Sequence, residues 1–113
     1  MKTSPDDANQ RFTVELIKGA LNASRREMEA LITRTSMSPF IREKKDFFTA
    51  ILNPQGELVV STSLTLAGNL IDSILDSYPV HTMKNGDLYW YNDPYFTSGA
   101  VSHLPDMVFV MPV

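Results

Sequence analysis

The chain has 113 residues, 43% of them apolar, with a net charge of −3 and a pI near 5.2. Such a length allows one domain at most with a modest core, and the acidic balance disfavours a nucleic-acid partner or an anionic membrane surface. The absence of cysteine excludes disulfides, a thiol nucleophile and Cys-ligated zinc, and it fits a reducing, cytoplasmic compartment.

In chain order, the opening MKTSPDDANQ is polar and acidic. It lacks the apolar run of a signal peptide, and no stretch reaches transmembrane length. Residues 1–11 are expected to be a disordered tail ahead of the ordered region, residues 12–113. From Phe12 to Ser36, the apolar residues Val14, Ile17, Ala20, Leu21, Met28, Leu31 and Ile32 recur at helical spacing. Lys18, Arg25, Arg26 and Glu29 fill the opposite face, so the segment is a predicted amphipathic helix. Pro39 disfavours helix at Ser38 and closes it.

Phe47–Asn53 and Glu57–Thr62 are rich in β-formers and flank Asn53–Gly56, a turn with proline second and glycine fourth. They predict a β-hairpin. STSLTLAGN is a loop of small and hydroxyl residues. Leu70, Ile71, Ile74, Leu75 and Tyr78 share one face of a short helix that Pro79 ends. After the MKNGD turn, LYWYND and MVFVMPV are two further strands. The predicted fold is α+β: a long N-terminal helix packed on an antiparallel or mixed sheet with a hairpin, forming an incomplete domain. Ile17, Leu21, Met28, Leu31, Ile51, Val59, Ile74, Val108 and Val110 form the expected core. The apolar run at 107–113 leads us to expect a longer protein, with this strand seeking a pairing partner.

Between the last two strands lies YNDPYFTSGAVSHLPDMV, residues 91–108. Asn92–Asp93–Pro94 is a sound strand-ending turn, with side chains that bond back to the backbone. His103 and Asp106 are separated by two residues, and in an irregular loop both can face one point. Imidazole nitrogen with carboxylate oxygen suits zinc, manganese or iron(II). Taken alone the H-x-x-D spacing is common. Asp46, after the charged REKK run, reads either as a surface ion pair or as a further ligand. His81 reads as a solvent-exposed loop histidine. Ser61, Thr62, Ser63 and Thr65 lack a nucleophile elbow around them. Gly68–Asn69 before a helix could receive an anion. No glycine pattern for nucleotide binding is present.

The same residues carry a resemblance. Residues 13–60 resemble the opening of the hydantoinase B/oxoprolinase family: a long helix, then Arg34–Thr35 with Ser38, then Lys44–Lys45–Asp46–Phe47, then the strand–turn–strand Asn53–Val59. NGDLYWYNDPY followed by HLPD resembles a second block of that family. Between NDPY and HLPD stands FTSGAVS, longer than the short Gly-Gly-Thr-like link of hydantoinase-type members, and it leans toward the related ketone carboxylases. The resemblance implies that residues 12–113 are the N-terminal part of a hydantoinase B-like catalytic domain, in a subunit that acts with a hydantoinase A-like, ATP-binding subunit and with the remainder of its own subunit. The reaction implied is ATP-dependent hydrolysis of a cyclic amide such as hydantoin, oxoproline or a lactam, or else carboxylation of a ketone. It further implies a divalent metal (Zn, Mn or Fe) at Asp46, His103 and Asp106, with Asp93 a fourth ligand or an orienting group. ATP would sit on the partner, not on this chain. Catalytic residues beyond these ligands are not identified. A competing reading is a non-catalytic sensor or interaction domain of GAF or roadblock type, which explains the hairpin but not NDPY with HLPD.

Overall fold

The computed structural model describes residues 5–62 and 68–113. Its chain divides into two compact units. Among described residues the first comprises 5–52 and 58–62, and the second 53–57 and 68–113.

The first unit is a helix laid on a hairpin. Helix α1 spans Pro5–Thr35, with Pro5 at its start and Asp6 and Asp7 in its first turn. Proline is preorganised for that position, and the two acids offset the positive end of the helix dipole. The expected disordered tail is therefore helical from Pro5 onward. The signals for this earlier start were the proline and the aspartates, whereas apolar periodicity begins only at Phe12. At the other end, Thr35 is within one residue of the expected stop. A four-residue helix, α2, follows at Pro39–Arg42, with Pro39 at its N-terminal position.

Strands β1 (Ala50–Leu52) and β2 (Leu58–Ser61) pair antiparallel, Ile51 facing Val60, with a register irregularity between Ile51 and Leu52. Helix α1 packs on both strands. Here the expected core needs correction. Val60 is the buried residue of β2, while Val59 is about half exposed. Successive side chains of a strand point to opposite faces, so in a Leu-Val-Val-Ser run only the packing decides which valine turns inward. Along α1, Ile17 and Leu31 are exposed and Leu21 and Met28 half-buried. No residue of that helix is fully buried, because a two-stranded hairpin is too small to cover a helix of 31 residues.

The second unit is held together around a short helix and a loop. Asn53–Glu57 belongs to it as a tight turn: Asn53 Oδ1 accepts from the Gln55 and Glu57 amides at 3.0 and 2.9 Å. Gly56 has a φ of 84° and lies so close to Ile71 and Leu75 that any Cβ there would stand 3.2 Å from both. Helix α3 spans Asp72–Ser77, shorter than expected, and it buries Ile74 while Ile71 is buried just before it. Burying one such side chain contributes roughly 1.5–3 kcal/mol. Tyr78, expected on the packed face, is instead half exposed. A 3-10 turn at Val80–Thr82 precedes the Lys84–Asp87 turn. Strands β3 (Tyr89–Tyr91) and β4 (Val108–Val110) then pair antiparallel, Trp90 opposite Phe109. The four strands thus form two separate two-stranded ladders rather than one sheet. Val108 and Val110 are half-buried, while Trp90 and Phe109 stack on the outer face with ring centroids 6.5 Å apart. No described helix is long and apolar enough to cross a membrane.

Candidate functional site

The loop between β3 and β4 is ordered by its own polar groups. Asp93 caps a 3-10 turn at Pro94–Thr97, its Oδ1 accepting from the Tyr95 amide at 2.9 Å. Pro94 sits at the first position of that turn, where a missing N–H costs nothing. Ser98 and Gly99 both adopt positive φ, 50° and 93°, and reverse the chain. Thr97 is fully buried. Its hydroxyl donates to the Pro94 carbonyl at 2.9 Å and accepts from the Val101 amide at 3.0 Å. A buried hydroxyl without such partners would be costly, so this residue locks the reversal. Gly68 approaches the same knot: a Cβ there would stand 2.5 Å from the Thr97 carbonyl oxygen. Ser73 of α3 donates to the Phe96 carbonyl at 2.7 Å. Asn92 Nδ2 donates to the Leu104 carbonyl at 3.0 Å, drawing the two ends of the loop together.

On this frame the structure brings together His103 and Asp106. The Asp106 amide donates to the His103 carbonyl at 3.1 Å, and the side chains meet with His103 Nδ1 3.6 Å from Asp106 Oδ2. That separation is too long for a hydrogen bond and leaves an open pair of one nitrogen and one carboxylate. Ser102 Oγ lies 3.1 Å from the same Nδ1. Both side chains are mostly exposed, 75% and 59%, so either can turn to a ligand without first leaving a packed environment. Asp93, in the same unit, already serves as a cap. Asp46 belongs to the first unit, exposed, with its amide donating to the Phe40 carbonyl at 3.1 Å. Among the described residues no three or more His, Asp or Glu side chains stand together in a metal-holding arrangement. The donor types nonetheless fit a divalent ion in part, as a two-donor start at His103 and Asp106.

The other candidates resolve differently. His81 lies exposed in the Val80–Thr82 turn. Thr62 is committed, donating to Glu29 Oε1 at 2.8 Å. Ser63 and Thr65 lie outside the described residues. At Gly68–Asn69, Asn69 Oδ1 itself accepts from the Ile71 and Asp72 amides, at 3.1 and 3.3 Å, and so occupies two of the donors at the start of α3.

Two polar residues, Thr97 and Tyr91, escaped the sequence reading, and Asn92 was read as part of a turn but not as the tie between the loop's ends. A buried threonine and an end-tying asparagine leave no spacing signature. Tyr91 donates its hydroxyl to the Leu70 carbonyl. Burial pushes its phenol up to about 12.

A family profile described as hydantoinase B/oxoprolinase matches residues 10–113. The chain is 29% identical over 111 residues to an uncharacterized protein of Methanocaldococcus jannaschii, covering 91% of this chain and 19% of that one. It is 30% identical over 111 residues to a protein of a Pseudomonas species named as a subunit of a D-/L-hydantoinase, covering 90% and 18%. A 5-oxoprolinase of Dictyostelium discoideum is 32% identical over 93 residues, covering 77% of this chain and 7% of that protein. The chain thus spans about a fifth or less of the length of these relatives. No solved structure matches it at a significant level.

Proposed function

The chain belongs to the hydantoinase B/oxoprolinase family, and from that premise we propose that it is the N-terminal part of a metal-dependent enzyme subunit that hydrolyses a cyclic amide. The activating ATP is handled by a hydantoinase A-like partner. A relative named as one subunit of a hydantoinase supports the expectation of other subunits. The observation that carries the site is the pairing of His103 with Asp106, 3.6 Å apart, on a loop whose ends are tied by Asn92.

In this reading His103 and Asp106 would hold a divalent ion, with Asp93 and Asp46 as further carboxylates and the remaining ligands supplied from elsewhere in the same polypeptide. When bound, such an ion supplies Lewis acidity, polarising the substrate carbon and acidifying water. The chain's own contribution is positioning. Thr97 and the Ser98–Gly99 reversal fix the loop, so His103 and Asp106 have less freedom to lose on binding. Nδ1 is the ring nitrogen that faces the Asp106 carboxylate, so it is the nitrogen this pair would offer to an ion.

The test is His103→Ala in the intact enzyme assembled with its ATP-binding partner. We expect turnover to be abolished and metal content to fall, with the circular dichroism spectrum unchanged. Full metal occupancy with full activity would contradict the reading. The Asp46→Asn variant separates the first unit's contribution: loss of metal content there extends the ligand set to Asp46.

A further inference from the structure

The first unit carries a groove, largely apolar in its surface but rimmed by cations, away from the His103 loop. Arg26, Ala30 and Arg34 follow one another at four-residue intervals along α1, and with Glu29 and Thr33 they line one wall of a groove of about 590 Å³. Lys45, Phe47 and Thr62 complete the lining. This volume lies within the range of about 300–1,000 Å³ common for small-molecule pockets. Every lining residue belongs to the first unit.

Charge in this groove is unbalanced. Three cations face one carboxylate, Glu29, and that carboxylate is already engaged. Its Oε1 pairs with Arg25, one turn earlier, and accepts from the Thr49 and Thr62 hydroxyls at 2.8 Å each. The Thr62 hydrogen bond first, and then Thr49 and Arg25, hold its carboxyl pKa below the ordinary glutamate range despite partial burial. Glu29 is thus neutralised by a residue outside the lining. Arg26 and Arg34 form no ion pair among the described residues. Lys45 is the second independent sign. It is a non-glycine residue at φ 56°, a conformation that costs of order 1 kcal/mol or more. The turn is fixed by the Asp46 amide donating to Phe40 and the Phe47 amide donating to Lys45. It directs the ammonium back to α1, where Nζ donates to Thr33 Oγ1 at 3.0 Å. A backbone held in an unfavourable conformation to deliver a cation to a groove already holding two guanidiniums has no uncommitted carboxylate in the groove to explain it.

We propose that this groove binds the oxyanion of a small molecule, a carboxylate or a phosphate. Guanidinium forks bind such groups in bidentate fashion, and the Lys45 ammonium adds a point charge. Half-buried Phe47 supplies apolar contact for the rest of the ligand. The groove shares no residue with the His103 loop, although Asp46, a carboxylate of the metal reading, lies between Lys45 and Phe47 in the chain.

The test is amide NMR on the full chain, titrated separately with inorganic phosphate and with succinate, against sodium chloride at matched ionic strength. Saturable shifts should appear at Thr33, Arg34, Lys45, Phe47 and Thr62, and the stronger arm identifies which oxyanion the groove prefers. The double variant Arg26→Gln with Arg34→Gln should weaken binding roughly tenfold or more, as expected for loss of charge-assisted pairs. Both arginines are exposed, and glutamine keeps high helix propensity, so far-UV ellipticity should be unchanged. Shifts spread equally over Lys18, Arg42 and Lys84, or binding indifferent to the double variant, would overturn the proposal. Binding of a glutamate-rich peptide with no response to either small anion would overturn it in favour of a protein partner.

Discussion

Glu29 and Thr97 do comparable work in the two units by opposite means. In the first unit a charged side chain on a helix reaches the hairpin, accepting from residues 20 and 33 positions away in sequence. In the second unit a neutral hydroxyl satisfies backbone groups three and four residues away. A long-range charged tie makes a unit sensitive to pH and to the loss of one side chain. A local neutral tie makes a unit sensitive to backbone geometry. The chain also offers separate reporters: its single tryptophan, Trp90, and all four tyrosines lie in the second unit, whereas α1 dominates the helical signal of the first.

The largest expected effect tests the geometric tie. Gly68→Ala forces a Cβ to 2.5 Å from a backbone oxygen and 2.8 Å from a backbone nitrogen, at φ 124°. Backbone atoms cannot swing aside, so we expect a loss of about 3 kcal/mol or more, read by Trp90 fluorescence in urea. An unshifted midpoint would remove the loop knot from the account. Thr97→Val is the gentler version. It keeps the volume and deletes the hydroxyl, and roughly 1–3 kcal/mol should be lost from the same transition.

The charged tie is next in size. Glu29→Ala leaves the Thr49 and Thr62 hydroxyls without their acceptor and Arg25 without its partner, for an expected loss of about 1–3 kcal/mol in the helical ellipticity transition. The pH dependence follows from the same contacts. Because Glu29 is held below its ordinary 4.5, its contribution is fully present above that value and lost as pH falls below it. Tyr91 acts on the other side. Its phenol is raised from 10.0 to about 12, so its contribution is present below 10.0 and lost between the two values. Glu29→Gln should flatten the acid limb of the stability profile, and Tyr91→Phe the alkaline limb. Identical limbs in variant and parent would break the contrast between the units.

The smallest effect belongs to His103→Ala. An exposed side chain in a 3.6 Å contact contributes little to folding, so stability should change by no more than about 0.5 kcal/mol.

Element by element, the sequence was readable where periodicity or punctuation spoke. Helix α1, the Asn53–Gly56 turn, α3 and the two last strands were visible in spacing, proline and glycine, but the run at 107–113, expected to lack a partner, pairs through Val108–Val110 with β3. Burial was less so. Val59 and Val60 are chemically equal, and only the helix laid on the hairpin chooses between them. The exposed Ile17 and Leu31 obey helical spacing, but periodicity states which face is apolar, not what covers it. For the site, H-x-x-D announced a pair that the structure does bring together. The tie from Glu29 to Thr49 and Thr62 left no local trace, because it joins residues the chain must fold to assemble.

The measurement closest to the central proposal, that the loop presents His103 and Asp106 to a metal, uses His81 as internal control. Both histidines are exposed, and they are the only two in the chain. Titrating the full chain with a sub-stoichiometric amount of Mn²⁺ should broaden the ring resonances of His103 and the carboxylate signal of Asp106 first, with Asp93 and Asp46 following and His81 left sharp. Broadening of His81 as early as His103, or an unaffected His103, would contradict the account and leave the loop as a turn.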